Sequence, residues 1–392
     1  MRLRRDAESV FGSAPESAAL PFDFIVIGAG MAGVSVADAL AGSARVALLE
    51  SEAHPGYHST GRSAAVFAPN YGSPAFTALT RASAHFLLAP PERFSSTPLL
   101  HRRGALYLAH AGQAAGLIAE VEQMRNNGAA VESLSPQAAR ALVPALRRDY
   151  VAAAAYERDV YDIDVEALFQ GFIRRGRAAG VQLFTSARLG VPRWNHGAWH
   201  VPLGQQEITG RVVINAAGAW ADQVAGLFSV RPLGLQALRR SAAVIDAPPD
   251  AAGWPVVFDF DEQFYLKPDA GRLLISPADE EPVVPCDAYA EDLTIALAVD
   301  RVQNALDIEI TRVHRSWAGL RTFARDREPV IGYERTVPGF FWCAGHGGCG
   351  IQTSPALSRL AAALAQQRPI PDTVAAEGVT ALAVNPERLR GS

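Results

Sequence analysis

Three glycines, Gly28, Gly30 and Gly33, follow the apolar run FDFIVI with GxGxxG spacing and open a helical pattern. In this spacing the first glycine permits a tight turn and the second lets the backbone approach a pyrophosphate. The third lets helix and strand pack closely. Glu50 ends the next apolar run, where a carboxylate would accept a hydrogen bond from a ribose hydroxyl. The pattern predicts an adenine-dinucleotide site and does not separate NAD from FAD.

The stretch HPGYHSTGRSAAVF, residues 54–67, favours a flavin. Taken alone, it would be interpreted as a solvated loop. Hydroxyls suit a ribityl chain, an arginine can neutralise a pyrophosphate charge, and alanines let a flat ring come close. The residues in question are Ser59, Thr60, Arg62, Ser63, Ala64 and Ala65.

A second glycine-rich loop, GHGGCGIQTSPALS, precedes a predicted helix whose N-terminus would stabilise negative charge on a reduced flavin. There is no second GxGxxG for a nicotinamide nucleotide, so FAD is favoured over NAD. The residues expected to contact the ring here are Gly347, Gly348, Gly350, Ile351, Gln352 and Thr353.

The elements that must position these residues alternate between strands and helices. Strand, helix and strand over 22–50, with a glycine stop at Gly42, form one βαβ unit. An amphipathic helix over 162–180 leads into VQLF, which is predicted to return to the parallel sheet. Residues 240–320 are mostly strands, with a helix near 288–305.

The predicted fold class is α/β, with a Rossmann-like FAD-binding domain interleaved with a mainly antiparallel β-sheet substrate domain. We expect a loose N-terminal extension over 1–21. The expected FAD-binding domain comprises 22–97, 155–224 and 318–392, and the substrate-binding domain comprises 98–154 and 225–317.

Composition excludes several classes of protein. A formal charge of −4 argues against nucleic-acid binding. Cys286, Cys343 and Cys349 form no CxxC pair, so neither a disulfide framework nor a metal site is predicted, and a reducing cytoplasm is the expected location. The first twenty residues lack the apolar core of a signal peptide. The sequence contains no run of 18 uncharged apolar residues, so no transmembrane segment is predicted.

Further blocks carry a resemblance. Together with the motifs above, NAAGAW, RPLGLQ, FYLKPDAG and WAGLRTF make the chain similar, from about residue 22 to 366, to the D-amino-acid oxidase/glycine oxidase (DAO) superfamily of FAD-dependent oxidoreductases. The bacterial D-arginine dehydrogenase group is the nearest resemblance. The remaining residues expected to contact the cofactor are Met31, Ala32, Ser51, Leu189, Ala217, Gly218 and Trp220.

The resemblance implies an amino acid held against the flavin, which loses hydride from Cα to flavin N5 and leaves an imine that hydrolyses to a 2-oxo acid. Arg240 and Arg321 would bind the carboxylate, because two guanidinium forks suit that planar anion. Tyr265 and Tyr71 would add hydroxyl donors, and the carbonyl of Gly348 would accept from the amine. In an arginine-rich chain, the alternative for each arginine is an ordinary surface charge.

Departures from the resemblance bear on the substrate. Val66 and Ala68 replace polar pocket residues of the D-arginine enzymes, and Ala105 replaces their guanidinium-binding glutamate. With Val256 and Phe258 they suggest an apolar pocket in which a cationic side chain would meet no carboxylate.

Three further features concern the flavin. His346 is interpreted as a hydrogen-bonding loop residue of the pocket. No cysteine lies between Cys286 and Cys343, where related oxidases tether FAD, so FAD is expected to be non-covalent. The strand RLLISP lacks the lysine that some related oxidases use with oxygen, and Lys267 lies earlier, which favours a dehydrogenase.

The leading hypothesis is oxidation of an apolar D-amino acid, and the alternative is glycine-oxidase-like oxidation of an N-substituted glycine, a secondary amine, in a biosynthetic pathway. An NAD-linked dehydrogenase and a non-catalytic flavin-fold binding protein are alternatives of other classes. The expected partners are a small amino-acid substrate and oxygen, a quinone or another electron carrier. The sequence leaves open whether the protein is a monomer or a small homo-oligomer.

Overall fold

A computed structural model describes residues 21–126 and 128–391. The predicted N-terminal extension, apart from Pro21, lies outside the described residues. No helix in the described ranges is long and apolar enough to cross a membrane.

The strands, in chain order, are β1 (Phe22–Ile27), β2 (Val46–Leu49), β3 (Val66–Phe67), β4 (Leu100–Arg102), β5 (Ala105–Ala109), β6 (Val131–Leu134), β7 (Ala153–Glu157), β8 (Tyr161–Ile163), β9 (Gln182–Phe184), β10 (Arg193–Asn195), β11 (Ala198–Leu203), β12 (Gln206–Asn215), β13 (Gln236–Asp246), β14 (Val256–Asp259), β15 (Tyr265–Asp269), β16 (Arg272–Ser276), β17 (Glu281–Val283), β18 (Val313–Phe323), β19 (Val330–Tyr333) and β20 (Phe340–Ala344).

The α-helices are α1 (Met31–Ala41), α2 (Pro74–Leu88), α3 (Ala114–Asn126), α4 (Pro136–Leu142), α5 (Val165–Ala178), α6 (Ala221–Leu227), α7 (Asp292–Ala305), α8 (Ser354–Ala365), α9 (Asp372–Ala375) and α10 (Ala381–Val384). Short 3₁₀ turns occupy Gly218–Trp220, Ala251–Gly253 and Pro386–Leu389.

The first sheet is mainly parallel. Its central strands run in the order β20, β12, β1, β2, β9, all parallel, and β19 pairs antiparallel with β20. The predicted βαβ unit is confirmed, because β1, α1 and β2 follow one another and Gly42 caps α1. The return of VQLF to this sheet is also confirmed, since Gln182–Phe184 pairs parallel with β2.

Helices cover the middle of this sheet, where β2 and β20 are apolar along their whole length. Strand β2 is buried at all four residues, which is typical of a parallel strand enclosed on both faces. Helices α1, α5 and α8 pack with it in one core that includes Leu40, Phe172 and Leu360.

The second sheet is mainly antiparallel and runs in the order β17, β13, β16, β15, β14, β5, β7, β6, with β18 along β13. Only the β14–β5 pairing among them is parallel. A separate core on this sheet contains Trp254 and Phe264 and is closed by α7. The mixed α/β class, with a Rossmann-like domain and a β substrate domain, is therefore as predicted.

A third, three-stranded sheet of β3, β8 and β4 lies where the other two meet. Val66 of β3, directly after the loop of residues 54–65, is the register partner of Asp162 in β8. This small sheet joins the loop that follows β2 to the substrate sheet.

Candidate active site

The glycine turn after β1 has the backbone that its spacing predicts. Gly28 has a φ of +97°, and a Cβ there would lie 2.6 Å from the carbonyl oxygen of Ala216. A Cβ on Gly33 would lie 1.8 Å from the oxygen of Gly28, so helix and strand touch at backbone distance. A Cβ on Gly30 would meet only Thr60 Oγ1, at 3.4 Å, so the open side of Gly30 lines a cavity.

Two side chains organise the start of α1. Thr60 Oγ1 accepts a hydrogen bond from the N–H of Met31 at 2.9 Å, and Glu50 Oε2 accepts from the N–H of Ala29 at 2.8 Å. Glu50 Oε1 accepts from the N–H of Glu52 at 2.9 Å. The carboxylate is therefore fixed at the end of β2 on the cavity wall, with lone pairs left for a ribose hydroxyl.

The cavity has a volume of about 730 Å³ and runs from this turn to the substrate sheet. Gly33 and Thr353 do not line it: Gly33 packs against β1, and the buried Thr353 hydroxyl donates to the carbonyl of Cys349. The residues predicted to contact the cofactor that do line it are Gly28, Gly30, Met31, Ala32, Glu50, Ser51, Ser59, Thr60, Arg62, Ser63, Ala64, Ala65, Leu189, Ala217, Gly218, Trp220, Gly347, Gly348, Gly350, Ile351 and Gln352.

The loop of residues 54–65 is anchored to β18. Ser59 donates its hydroxyl to the carbonyl of Leu320 at 2.6 Å. The Arg62 guanidinium donates to the carbonyl of Ala288 at 2.7 Å and to the Asp287 carboxylate, and this pairing lowers the pKa of Asp287. Arg62 is thus engaged with protein oxygens, so a role in neutralising a pyrophosphate stays a prediction.

The loop after β20 approaches the same region with glycines. Gly347 has a φ of +51°, and a Cβ there would lie 2.4 Å from the Phe323 ring. A Cβ on Gly348 would lie 2.9 Å from Arg321 Nη1, so the backbone of this loop rests on a guanidinium. Any larger residue at Gly348 would displace Arg321 from the cavity wall.

Arg240 and Arg321 lie on adjacent strands, β13 and β18. Arg240 is opposite Gly319 in the ladder, so Arg321, two residues further along β18, is its diagonal neighbour on the same face. Arg240 Nη2 donates to Glu280 at 3.1 Å, and its Nε has no hydrogen-bond partner among the described residues. Burial, followed by the charge of Arg321, lowers the pKa of Arg240.

Arg321 has no carboxylate partner or side-chain hydrogen bond within residues 21–126 and 128–391. Burial is the largest single effect and works against its charge, but Tyr71, Tyr265, Cys349 and Glu280 together raise the pKa of Arg321. A permanent cation facing a cavity without a counter-ion is suited to binding an anion.

Comparison with known proteins assigns the fold to a family. The family model for the DAO family, FAD dependent oxidoreductase, matches residues 23–364. The chain belongs to this family. FAD is therefore its cofactor, and the NAD-linked alternative is set aside.

Relatives match over most of their length. The chain is 28% identical over 374 residues to the glycine oxidase of Pseudomonas aeruginosa, covering 88% of this chain and 94% of the relative. It is 26% identical over 395 residues to the FAD-dependent oxidoreductase domain-containing protein 1 of Mus musculus, covering 87% of this chain and 80% of the relative.

Solved structures of similar fold include glycine oxidase from Geobacillus kaustophilus, with a TM-score of 0.79, 21% identity, and coverage of 89% of this chain and 95% of that one. Iminodiacetate oxidase from Chelativorans sp. BNC1 gives a TM-score of 0.78, 22% identity, and coverage of 93% and 98%.

The residues present fit FAD. The open face of Gly30 and the N-terminus of α1 suit a pyrophosphate, and Glu50 suits the ribose. The glycines of both loops allow the backbone to approach a flat ring between Ala65 and Gly348. Bound there, FAD would supply a two-electron acceptor to the cavity that Arg321 lines.

Tyr71 and Tyr265 border the cavity beside the arginines. Tyr71 keeps 37% of its surface accessible, and burial of its phenol raises its pKa while Arg321 opposes that shift. Tyr265 is only 9% accessible and packs at 6.0 Å from the ring of Phe258. Both phenol hydroxyls therefore lie next to the cationic pair, where each can donate a hydrogen bond.

Five of the six residues predicted for the substrate pocket line the cavity, namely Val66, Ala68, Val256, Phe258 and His346. Ala105 does not: it is fully buried and packs beneath Tyr107 and Phe258. The wall at this position is Tyr107 instead, whose ring stacks on Phe258 at 5.6 Å.

Tyr107 is held by a buried carboxylate. Its hydroxyl donates to Glu157 Oε2 at 2.8 Å, and Asn70 donates to Glu157 Oε1 at 2.7 Å. Glu157 lies opposite Ala105 in the β5–β7 ladder, and burial raises its pKa. The signal in the sequence that could have identified Tyr107 is a single tyrosine within the otherwise aliphatic run ALYLA.

The expectation that a cationic side chain would meet no carboxylate at the position of Ala105 stays a prediction, but carboxylates from other elements reach the cavity. Glu120 of α3 and Glu262 of the β14–β15 turn both line the cavity. Burial, followed by the charge of Glu262, raises the pKa of Glu120. The expectation considered only the position of Ala105, whereas these carboxylates come from elements that no motif marks.

His346 and Cys343 contact each other, with 3.8 Å between Nε2 and Sγ. Burial lowers the pKa of His346 to about 4, so its imidazole is neutral at physiological pH. Burial also raises the thiol pKa of Cys343 to about 12 and of Cys349 to about 11. These groups are therefore neutral at physiological pH, and the role of His346 as a hydrogen-bonding loop residue of the pocket stays a prediction.

Proposed function

We propose that this enzyme oxidises the Cα–N bond of an amino acid whose carboxylate is held by Arg240 and Arg321. The observation that carries the proposal is the unpartnered guanidinium of Arg321 beside Arg240 at the end of an FAD cavity. Two cations and two phenols around one small space are complementary to a carboxylate.

The side chains of the site would orient the substrate and neutralise its carboxylate, and none of them needs to act as a base. The carboxylate charge is balanced by Arg240 and Arg321, and Tyr71 and Tyr265 donate to its oxygens. The carbonyl of Gly348 accepts from the substrate amine. An apolar surrounding favours the neutral amine, whose lone pair forms the C=N bond as the Cα–H is lost as a hydride, for which oxidised FAD would be the acceptor. Water then hydrolyses the imine to a 2-oxo acid and free amine.

The leading substrate class is a D-amino acid with an apolar side chain. Val66, Val256 and Phe258 offer apolar wall beyond the clamp. The residues Glu120 and Glu262 at the same cavity are a reason to test D-arginine and D-lysine as well. Three unpaired cysteines are compatible with a reducing compartment such as the cytoplasm.

An N-substituted glycine is the second candidate. A glycine oxidase is among the relatives, and an iminodiacetate oxidase, named for a secondary amine, is among the proteins of similar fold. In this case the apolar wall would accept the substituent on nitrogen. The electron acceptor would be oxygen or a quinone-type carrier.

Anaerobic bleaching of the flavin absorbance tests both candidates. The purified holoenzyme is mixed with D-amino acids, their L-enantiomers and N-alkylglycines, and the rate of bleaching is recorded at each concentration. Bleaching by apolar D-amino acids supports the leading class. Bleaching by N-alkylglycines alone would favour the second candidate, an N-substituted glycine. If no amino acid bleaches the flavin, the proposed function is refuted.

A further inference from the structure

Lys267 is the only lysine of the sequence. It lies on β15, two residues after Tyr265, and lines the FAD cavity while exposing only 7% of its surface. Removing an ammonium from water is costly unless its donors are satisfied. A buried lysine on a cavity wall, in a chain whose other side-chain cations are arginines, therefore requires a partner.

The protein supplies one partner for three donors. Lys267 Nζ donates to Asp162 Oδ1 at 2.9 Å, and among the described residues it makes no other hydrogen bond. An ammonium carries three N–H donors and no acceptor. Two donors are left for acceptor atoms in the cavity.

Asp162 does not fully neutralise the charge of Lys267, because its carboxylate also pairs with Arg103. Arg103 Nε donates to Asp162 Oδ2 at 2.7 Å, so one carboxylate lies between two cations. Arg103 is also held by the carbonyls of Ala252 and Trp254 and does not line the cavity. The group of three carries a net charge of +1, and Lys267 is the member on the cavity wall.

The position of Lys267 indicates that its ammonium would face the flavin ring of FAD and not the adenine end of the cofactor. Asp162 is the register partner of Val66, which directly follows the cofactor-lining Ala64 and Ala65. On the other side, Tyr265 belongs to the carboxylate clamp. Lys267 therefore lies between the segment that lines the dinucleotide and the end that holds the substrate.

We propose that Lys267 donates to the flavin ring of bound FAD and raises its reduction potential. The ring gains negative charge on reduction, and a cation held beside it stabilises that charge. The proposal rests on FAD-dependent oxidation, but not on the substrate class. Lys267 would then be a catalytic residue, a role that its place in the block FYLKPDAG does not reveal by itself.

The test compares Lys267→Met with Arg103→Met. Each substitution removes one of the two cations that pair with Asp162, but only Lys267 lines the cavity. The readouts are the midpoint potential of the flavin and its affinity for sulfite, which binds oxidised flavin and transfers negative charge to the ring. Neither measurement uses an amino acid, so an error in the proposed substrate leaves them unaffected.

Lys267→Met should weaken sulfite binding at least tenfold. An equal effect on the two-electron equilibrium would lower the potential by about 30 mV. Lys267→Arg should keep most of the wild-type sulfite affinity and potential. Arg103→Met leaves the ammonium on the cavity wall and should weaken sulfite binding clearly less than Lys267→Met does. If Lys267→Met does not fold, Lys267→Gln, which can still donate to Asp162, replaces it.

Equal effects in the Lys267→Met and Arg103→Met proteins would show that the lysine acts only through Asp162, as a structural ion pair, and would overturn the proposal. So would an unchanged potential and sulfite affinity in a Lys267→Met protein that retains FAD. A raised KM for the amino acid with an unchanged potential would assign the lysine to the substrate instead.

Discussion

Replacing Arg321 with methionine should weaken the binding of carboxylates far more than it affects the fold. Arg321 has no carboxylate partner in the described chain, so methionine of similar length leaves no protein charge unpaired. It also rests against Gly348, where a flexible apolar side chain can take its place. The melting temperature should therefore be maintained.

The loss of affinity follows from the burial of the clamp. Truncating one partner of a buried, hydrogen-bonded charge pair costs about 2–5 kcal/mol. At about 1.4 kcal/mol per tenfold, the Kd of a carboxylate should rise by roughly 30-fold to several thousand-fold. Arg240→Met should fall near the lower limit, because Arg240 already shares its charge with Glu280.

The assay is a titration of the holoenzyme with acetate or benzoate, followed by the change in flavin absorbance, together with KM for the best amino acid. Arg327→Met is the matched control. Arg327 also pairs with Glu280, at 2.9 Å, but does not line the cavity. A benzoate Kd for Arg321→Met that equals that of Arg327→Met, or lies within threefold of the wild type, would refute the carboxylate clamp.

Four further outcomes are expected. Gly33→Ala should prevent folding or FAD retention, because its Cβ would lie 1.8 Å from the Gly28 oxygen. Gly30→Ala should fold and bind FAD more weakly, and measurements of flavin content and melting temperature distinguish the two variants. Acid denaturation should release all of the flavin into the supernatant, and flavin left on the precipitate would contradict non-covalent binding. Burial raises the pKa of Glu157 from 4.5, so the folded state binds this proton more tightly than the unfolded chain does, and stability falls as pH rises from 4.5 through the raised pKa. Glu157→Gln should remove that loss, so that the free energy of unfolding, measured in urea, depends less on pH. An unchanged dependence on pH would contradict this expectation. His346→Gln should leave the pH profile of kcat/KM above about pH 6 unchanged, because the pKa of His346 is lowered to about 4, and a lost ionisation in that range would show otherwise.

Local chemistry explains why the dinucleotide half could be predicted well. The βαβ unit is contiguous, and its glycines are required by contacts within that unit or with the neighbouring strand. Glu50 follows from the same short segment. Such features depend on backbone geometry over a few residues, which sequence spacing records directly.

The substrate half could be predicted only where a resemblance supplied residues. Arg240 and Arg321 share a face because β13 and β18 pair over their whole length, a register that neither segment reveals alone. Ala105 was expected on the pocket wall and lies behind it, because the parallel pairing of β5 with β14 places Tyr107 beside Phe258 on the cavity side.

By itself, then, the amino-acid sequence determined the cofactor class and the βαβ unit, and its resemblance to a family identified two candidate arginines. Only the tertiary structure decided that Arg62 is engaged by Asp287, that Glu120 and Glu262 reach the cavity, and that Lys267 lies on its wall. The physical reason is distance along the chain. Local spacing specifies turns and helices, whereas the surroundings of a side chain are set by segments that lie far apart in the chain.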